Sequence, residues 1–103
     1  MKFHGNSRKS SKPHHLYAIM DEEAKDVWKY GISGNEIDDD DLSERVRSQV
    51  RLYNAVAGWI RFFGKILVRN IPGRARALEI EEEYVAKYEK KHGMRPPGNR
   101  EKS

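Results

Sequence analysis

The stretch VWKYGISG, at residues 27–34, consists of β-branched and aromatic residues that run into two closely spaced glycines. Side chains of the first kind favour extended strands, whereas glycine weakens or bends a strand. A second strand-like run lies at residues 15–19, and only a short polar segment, residues 21–26, separates the two. Two such runs with a short polar link between them predict a β-hairpin.

Size and composition restrict the rest of the chain. Its 103 residues are enough for one domain with a modest core. No apolar run is long enough to span a membrane, and the absence of cysteine excludes disulfides and thiolate metal sites. We expect a flexible basic leader over residues 1–13, without the apolar core of a signal peptide, and one domain over residues 14–103.

Charge is distributed unevenly along the sequence. Residues 21–42 carry nine acids against two lysines, whereas residues 43–76 carry eight lysines and arginines against one acid. A dense basic segment suits a polyanion, because lysine and arginine release the counterions of phosphates. The alternative is a solvated helix face that the acidic segment neutralises, and charge alone does not decide between the two.

The segment after the hairpin has the periodicity of a helix. We predict its start at Asp41, as the N-cap, with Glu44 reaching back to complete a capping box. The acids at residues 38–41 fit a solvated loop that stabilises this helix through its dipole better than a metal site, because four consecutive side chains converge poorly on one ion. The apolar stripe, in steps of three and four, consists of Leu42, Val46, Val50, Tyr53, Ala57 and Ile60.

A third strand and a second helix complete the predicted fold. The β-rich run at residues 65–71 predicts the strand, and Arg74–His92 predicts the helix, which Gly93 and the following Pro96 bring to an end. The element order is then β-β-α-β-α. This order predicts an α+β domain with a small three-stranded antiparallel sheet flanked by helices.

One acidic residue of the second helix lies on its apolar stripe. At about 100° per residue, Glu81 falls inside the arc of apolar side chains, whereas the other glutamates of this helix lie outside it. A buried carboxylate without a partner is costly, so Glu81 needs one. A Mg²⁺ ion is one such partner. Periodicity alone favours a salt bridge instead, to Arg45, Arg47 or Arg74.

Several polar residues of the predicted hairpin and first helix suit a phosphate group. Tyr17 and Tyr30 lie on the two hairpin strands, and Lys29 adjoins the second of them. Arg45 lies one turn into the first helix, where a guanidinium can bind a phosphoryl oxygen. The alternative for the tyrosines is a structural role as aromatics of a small sheet.

The whole layout resembles the GIY-YIG nuclease superfamily over residues 14–99. In that family a hairpin carries a Gly-Ile-Tyr-like and a Tyr-Ile-Gly-like run, and a helix with an arginine, a strand, a helix with a metal-binding glutamate and an asparagine follow. The matching segments are HLY at 15–17, KYGIS at 29–33, LSERV at 42–46, RALEIE at 76–81 and PGN at 97–99. His15 stands in place of the first glycine and Lys29 in place of the second tyrosine. Tyr30, one residue later, should point to the opposite face of the sheet.

This resemblance implies a divalent-metal-dependent endonuclease. Glu81 would bind Mg²⁺, or another divalent cation such as Mn²⁺, and Arg45 would bind the scissile phosphate. Tyr17 would orient or deprotonate the attacking water, with Lys29 as the cation beside it. Structural support would come from His15, Tyr30, Gly31 and, through hydrogen bonds, Asn99. The nucleic-acid backbone would lie along Arg47, Arg51, Arg61, Lys65 and Arg69.

The small domain with its basic leader and Pro-Pro-Gly-Asn ending is similar to one branch, the C-terminal toxin modules of bacterial polymorphic toxins. This implies delivery by a secretion system into the cytoplasm of a target cell and a cognate immunity protein as partner. It also implies nucleic acid as substrate, DNA rather than RNA, with neither a membrane partner nor a small-molecule cofactor. Two alternatives stay open. One is a non-catalytic nucleic-acid-binding domain with a degenerate site, motivated by Lys29, and the other is an interaction domain whose acidic residues 21–42 bind a basic partner.

Overall fold

The computed structural model describes residues 12–100, which form the predicted α+β fold in the order β-β-α-β-α. The sheet is antiparallel, with strand order β2-β1-β3. The elements are β1 (Pro13–Asp21), β2 (Asp26–Ser33), α1 (Glu44–Ala57), β3 (Phe62–Pro72), α2 (Arg74–His92) and a short 3₁₀ turn (Pro97–Asn99).

The predicted leader falls almost entirely outside this part of the chain. Residues 1–11 are not among those described, and Pro13, the last residue of the predicted leader, already belongs to β1. Neither helix within residues 12–100 combines the length and the apolar character needed to cross a membrane.

The central strand β1 is buried on both of its faces. Tyr17 and Ile19 pack on the side of the sheet that α1 covers, together with Val46 of that helix. Leu16 packs on the opposite side with Ala77 of α2. Because side chains alternate along a strand, burial of both faces produces a continuous buried run rather than an alternating one.

The register of the hairpin decides which side chains of β2 face α1, and a β-bulge interrupts it at Trp28. Lys29 pairs with Ile19, but the next pair joins Val27 to Met20, so Trp28 is the extra residue. Directly opposed residues share a face, so Lys29 lies on the α1 side. Tyr30 lies on the other side, where its ring packs edge-on against Tyr84 with centroids 5.5 Å apart.

Two glycines let bulky groups approach the sheet closely on the α1 side. Gly31 lies opposite Tyr17, and a Cβ added at this position would overlap the tyrosine ring. Gly64 of β3 lies opposite Ile19, and a Cβ there would overlap the side chain of Val46. Gly31, which follows Lys29 and Tyr30 in the hairpin, therefore packs directly against the Tyr17 ring.

The predicted cap of α1 is wrong. Asp41 has a φ of 62°, in the left-handed region, and Ser43 occupies the N-cap position. The Ser43 hydroxyl does not cap the helix, because it is hydrogen-bonded to Nε2 of His15 at 3.0 Å. Glu44 does not reach back either, and its carboxylate contacts Arg51 two turns further on.

The predicted end of the apolar stripe of α1 is also wrong. Gly58, with a φ of 82°, ends the helix directly after Ala57. Ile60 therefore lies outside the helix and is 83% exposed. The preceding stripe residues contribute to the core on the α1 side, as predicted.

The end of the hairpin is held by a partly buried ion pair. Arg61 donates from Nε and Nη2 to the two carboxylate oxygens of Asp21, both at 2.9 Å, and Asp21 is only 3% exposed. The hydrogen bonds from Arg61 lower the pKa of the Asp21 carboxyl. The guanidinium also lies 5.7 Å from the centre of the Trp28 ring. Arg61 therefore has a structural position in the fold.

The close approach of α1 to Gly64 predicts a specific stability defect. We expect Gly64→Ala to destabilise the fold by about 1–3 kcal/mol, because the new methyl group must displace the fully buried Val46. Urea unfolding followed by circular dichroism measures this cost. In a Val46→Ala background the same change should cost much less, and an equal cost in both backgrounds would contradict this explanation.

Candidate functional site

Four polar side chains from three elements meet on the α1 side of the sheet, and we call them the Gln49 cluster: Tyr17, Lys29, Arg45 and Gln49. The Tyr17 hydroxyl lies 2.8 Å from the Gln49 amide. When the amide nitrogen donates to Tyr17, the amide oxygen accepts from Lys29 Nζ at 3.2 Å and Arg45 Nη2 at 3.3 Å. This orientation is assigned from the network, because the opposite one would aim the amide nitrogen at two cationic donors.

The elements place these side chains by simple geometry. Tyr17 reaches towards α1 because Gly31 leaves room for its ring, and Lys29 lies on the same side because it pairs with Ile19. Arg45 and Gln49 are four residues apart on α1 and so share one helix face. The structure thus brings together three of the residues that the sequence predicts as catalytic.

Glu81 is the fourth predicted catalytic residue, and it has the position on α2 that periodicity predicts. It is half-buried on the stripe between the buried residues Ala77 and Val85, whereas Glu82 and Glu83 are exposed. Its carboxylate makes no hydrogen bond or salt bridge to any residue from 12 to 100. The predicted salt bridges to Arg45, Arg47 and Arg74 are therefore absent from this part of the chain.

Electrostatic interactions link Glu81 to the Gln49 cluster. Burial raises the pKa of the Glu81 carboxyl, and the nearby charge of Lys29 partly opposes that rise. In turn, burial lowers the pKa of Lys29, the charge of Arg45 lowers it further, and Glu81 raises it. Two cations and one carboxylate thus share the site, which leaves an excess of positive charge for an anionic ligand.

The tyrosine of the cluster is not activated as a base. Tyr17 is 1% exposed, and burial raises the pKa of its hydroxyl, although the neighbouring Arg45 guanidinium lowers it. Burial outweighs this cationic neighbour, so the net shift of the pKa is upward. Tyr17 is therefore a neutral hydroxyl at physiological pH, able to orient a water molecule but poorly suited to deprotonate it.

The ligand set suits a hard divalent cation with few protein ligands. Between residues 12 and 100, no group of three or more His, Asp or Glu side chains is placed to hold a metal ion. Glu81 alone offers an unpaired carboxylate at the site. Mg²⁺ and Mn²⁺ fit this arrangement, because Mg²⁺ usually binds one or two carboxylates and keeps water and phosphate as its other ligands. Structural zinc, which needs four ligands, does not fit it.

The residues predicted as structural support hold β2 and α1 in place. Asn99 donates from Nδ2 to the Tyr30 carbonyl at 2.9 Å and accepts from the Tyr30 N–H at 2.8 Å. These two bonds fix the outer edge of β2 next to Lys29. His15, whose ring centre lies 6.3 Å from that of Tyr17, ties β1 to the start of α1 through Ser43.

The predicted nucleic-acid-binding residues are mostly paired with acids of the chain itself. Arg47 pairs with Asp38, Asp40 and Glu44, and Arg51 also pairs with Glu44. Arg61 binds Asp21 and Arg69 binds Asp41, whereas Lys65 is exposed and makes no ion pair with residues 12–100. The pairs match the alternative of a basic segment neutralised by the acidic one. Exposed pairs of this kind contribute little free energy, so a phosphate can replace the carboxylates.

Sequence reasoning missed Gln49, the centre of the cluster. A neutral amide carries no charge or motif that draws attention to it. The available signal is its spacing, because a residue four positions after a predicted phosphate-binding arginine lies on the same helix face.

A family model described as Tox-URI2, URI fold toxin 2, matches residues 7–93 of this chain. The match includes Tyr17, Lys29, Arg45, Gln49 and Glu81, and it ends before Asn99. No curated protein and no solved structure matches the chain.

Burial of Tyr17 predicts its titration. Its hydroxyl should ionise above the ordinary pKa of 10, and Arg45→Ala should raise that pKa further, because the guanidinium stabilises the phenolate. The ¹³C NMR shift of the Tyr17 Cζ atom against pH measures this directly. Arg51→Ala, an exposed arginine of the same helix, is the matched control. Ionisation of Tyr17 at or below pH 10, or the same midpoint in both variants, would contradict the assignment.

Proposed function

The chain belongs to the URI fold toxin 2 family, and from this premise we propose that it is a toxin module that acts as a divalent-metal-dependent nuclease of the GIY-YIG type. Its reaction is the hydrolysis of phosphodiester bonds in nucleic acid, with DNA favoured over RNA. One observation carries the proposal. A half-buried Glu81 without a protein partner among residues 12–100 shares a site with Lys29, Arg45 and the Tyr17 hydroxyl.

Arg45 and Lys29 bind the anionic substrate. Arg45 is exposed, and its guanidinium can donate two parallel hydrogen bonds to the non-bridging oxygens of a phosphate. Lys29 adds a second positive charge, held in place by the Gln49 oxygen. Charge that develops on the phosphoryl oxygens during attack is stabilised by donors that are already in position, so little reorganisation is needed.

Tyr17 and Gln49 act on the attacking water. Gln49 donates to the tyrosine oxygen and thereby leaves the hydroxyl hydrogen free to bond to water. Because the pKa of Tyr17 is raised, the hydroxyl stays protonated and orients the water without removing its proton. The proton passes to solvent or to a phosphate oxygen of the substrate.

Glu81 is the residue that would hold Mg²⁺ or Mn²⁺. A bound divalent ion supplies Lewis-acid polarisation of the phosphate and stabilises the leaving oxygen. Glu81 must be ionised for this role, and Lys29 favours the ionised form. The half-buried position limits the water that competes for the carboxylate.

The biological setting that we propose follows from membership of a toxin family. The module is part of a polymorphic toxin that a bacterial secretion system delivers into a target cell, where it acts in the cytoplasm. A cognate immunity protein in the producing cell neutralises it.

Removal of the Glu81 carboxylate tests the nuclease. We expect the protein to nick plasmid DNA in Mg²⁺, and we expect Glu81→Ala or excess EDTA to abolish this activity. Arg45→Ala should lower the rate by about 100-fold or more, as loss of a donor to the developing charge does elsewhere. Glu89→Ala, an exposed glutamate of the same helix, should leave the rate unchanged.

Three outcomes of this assay separate the candidate functions. Full activity of Glu81→Ala removes the metal-binding role. Cleavage of total RNA but not of plasmid reverses the substrate preference. Salt-dependent binding without cleavage in any divalent cation favours the non-catalytic domain, for which Lys29 in place of a tyrosine is the motivating feature.

The raised pKa of Glu81 predicts the acid limb of the pH–rate profile. Protons compete with the metal ion for the carboxylate, so activity should be lost as pH falls through a midpoint above 4.5, the ordinary value. Lys29→Gln removes the charge that lowers this pKa and should move the midpoint to higher pH, whatever its effect on the maximal rate. An unchanged or lower midpoint would contradict this electrostatic link.

A further inference from the structure

A cavity of about 610 Å³ lies beside the site, where β1 begins and β2 ends. Its lining includes two cations, Lys12 and Arg69, and two amides, Asn35 and Asn70, with Glu36 as an acid among them. Arg69 is bound to an exposed aspartate, in a pair that a stronger anion can replace. The cavity therefore offers charged and neutral donors to an anionic group of moderate size.

A buried histidine with one unpaired ring nitrogen lies in the wall of this cavity. His14 is 1% exposed, and its Nδ1 donates to the Lys12 carbonyl at 2.8 Å, which leaves Nε2 for another group. No residue from 12 to 100 bonds to that Nε2. A Cβ added at Gly34 would overlap Lys12 Cε and would stand 3.2 Å from both His14 Nε2 and Lys12 Nζ, so the absence of a side chain at Gly34 lets Lys12 lie beside His14.

An unpaired buried nitrogen is costly, and a ligand removes that cost. A protonated imidazole donates from both nitrogens, so His14 can offer Nε2–H to an anion while Nδ1 keeps its bond to the backbone. Lys12 and Arg69 line the same cavity and add positive charge to it. The arrangement therefore suits a phosphate better than a neutral ligand.

Two residues that line the cavity contact the Gln49 cluster. His15 lines the cavity, and its ring centre is 6.3 Å from that of Tyr17. Asn35 also lines it, and its Oδ1 accepts from the backbone N–H of Arg45 at 3.0 Å. His15 and Asn35 thus place the cavity next to Tyr17 and to the first turn of α1, which carries Arg45.

We propose that this cavity is a second phosphate subsite, which binds the phosphate next to the scissile phosphodiester through His14, Lys12 and Arg69. The assignment rests on the proposed nuclease function. It specifies the substrate as a polynucleotide with at least two consecutive phosphates, cleaved at an internal position. A dinucleotide with a single phosphate should be a poor substrate.

Binding without catalysis tests the subsite independently of activity. The full chain, labelled with ¹⁵N at histidine and kept free of metal, is titrated with inorganic phosphate and with thymidine 3′,5′-bisphosphate. We expect both to shift the His14 ring signals, and the bisphosphate to bind about tenfold more tightly because it engages both sites at once. Arg69→Gln and Lys12→Gln, both at exposed positions, should each weaken the bisphosphate at least threefold. Arg76→Gln, an exposed arginine of α2 outside the cavity, should not.

Kinetics with the same variants separates failure of the subsite from failure of the nuclease. With oligonucleotide substrates, Arg69→Gln should raise KM at least threefold, and a neutral methylphosphonate next to the scissile bond should have the same effect on the wild type. An unchanged KM in a protein that still cleaves overturns the subsite alone, as do unmoved His14 signals or equal affinity for the two probes. A protein that binds the bisphosphate as expected but cleaves nothing overturns the nuclease and keeps the subsite.

Discussion

The contact of the Tyr17 ring with the backbone of Gly31 is the constraint on which the candidate site depends. A side chain at position 31 would occupy the space of the ring. Because the ring lies flat across the neighbouring strand, its hydroxyl extends to Gln49 on α1. The Gln49 amide oxygen in turn accepts hydrogen bonds from Lys29 of β2 and from Arg45 of its own helix. The absence of a side chain at Gly31 thus determines where the polar side chains of three elements meet.

Burial of these groups sets their chemistry. The same removal of water raises the pKa of Tyr17 and Glu81 and lowers that of Lys29, so each group is pushed towards its neutral form. The opposite charges of Lys29 and Glu81 act against this and favour the ionised form of each partner. An anionic ligand would add to the stabilisation of the cations, so the arrangement favours an anion over a neutral ligand.

Local patterns predicted most of the fold and part of the site. Helix α2 begins and ends where its periodicity and Gly93 predict. The same periodicity showed that Glu81 lies on the apolar stripe of that helix. The start of α1 was missed because the Ser43 hydroxyl is bound to His15, a contact between residues 28 positions apart that no local pattern contains. Gln49 was missed because its role arises from groups on three elements. The ion pairs of the basic segment likewise depend on how the loop before α1 folds back on the helix.

Those ion pairs reduce the positive electrostatic potential that the surface of α1 offers to a polyanion. The calculated isoelectric point of about 9.4 suggests a broadly basic surface. On the outer face of α1, however, guanidinium and carboxylate groups alternate, with Arg47 and Glu44 at the centre. Their opposite charges largely cancel at a short distance from the surface. The cations Lys29 and Arg45, which outnumber the single carboxylate of Glu81, then contribute most of the positive potential on that side of the molecule. Long-range attraction would consequently direct an anionic ligand to the Gln49 cluster rather than to the outer face of the helix.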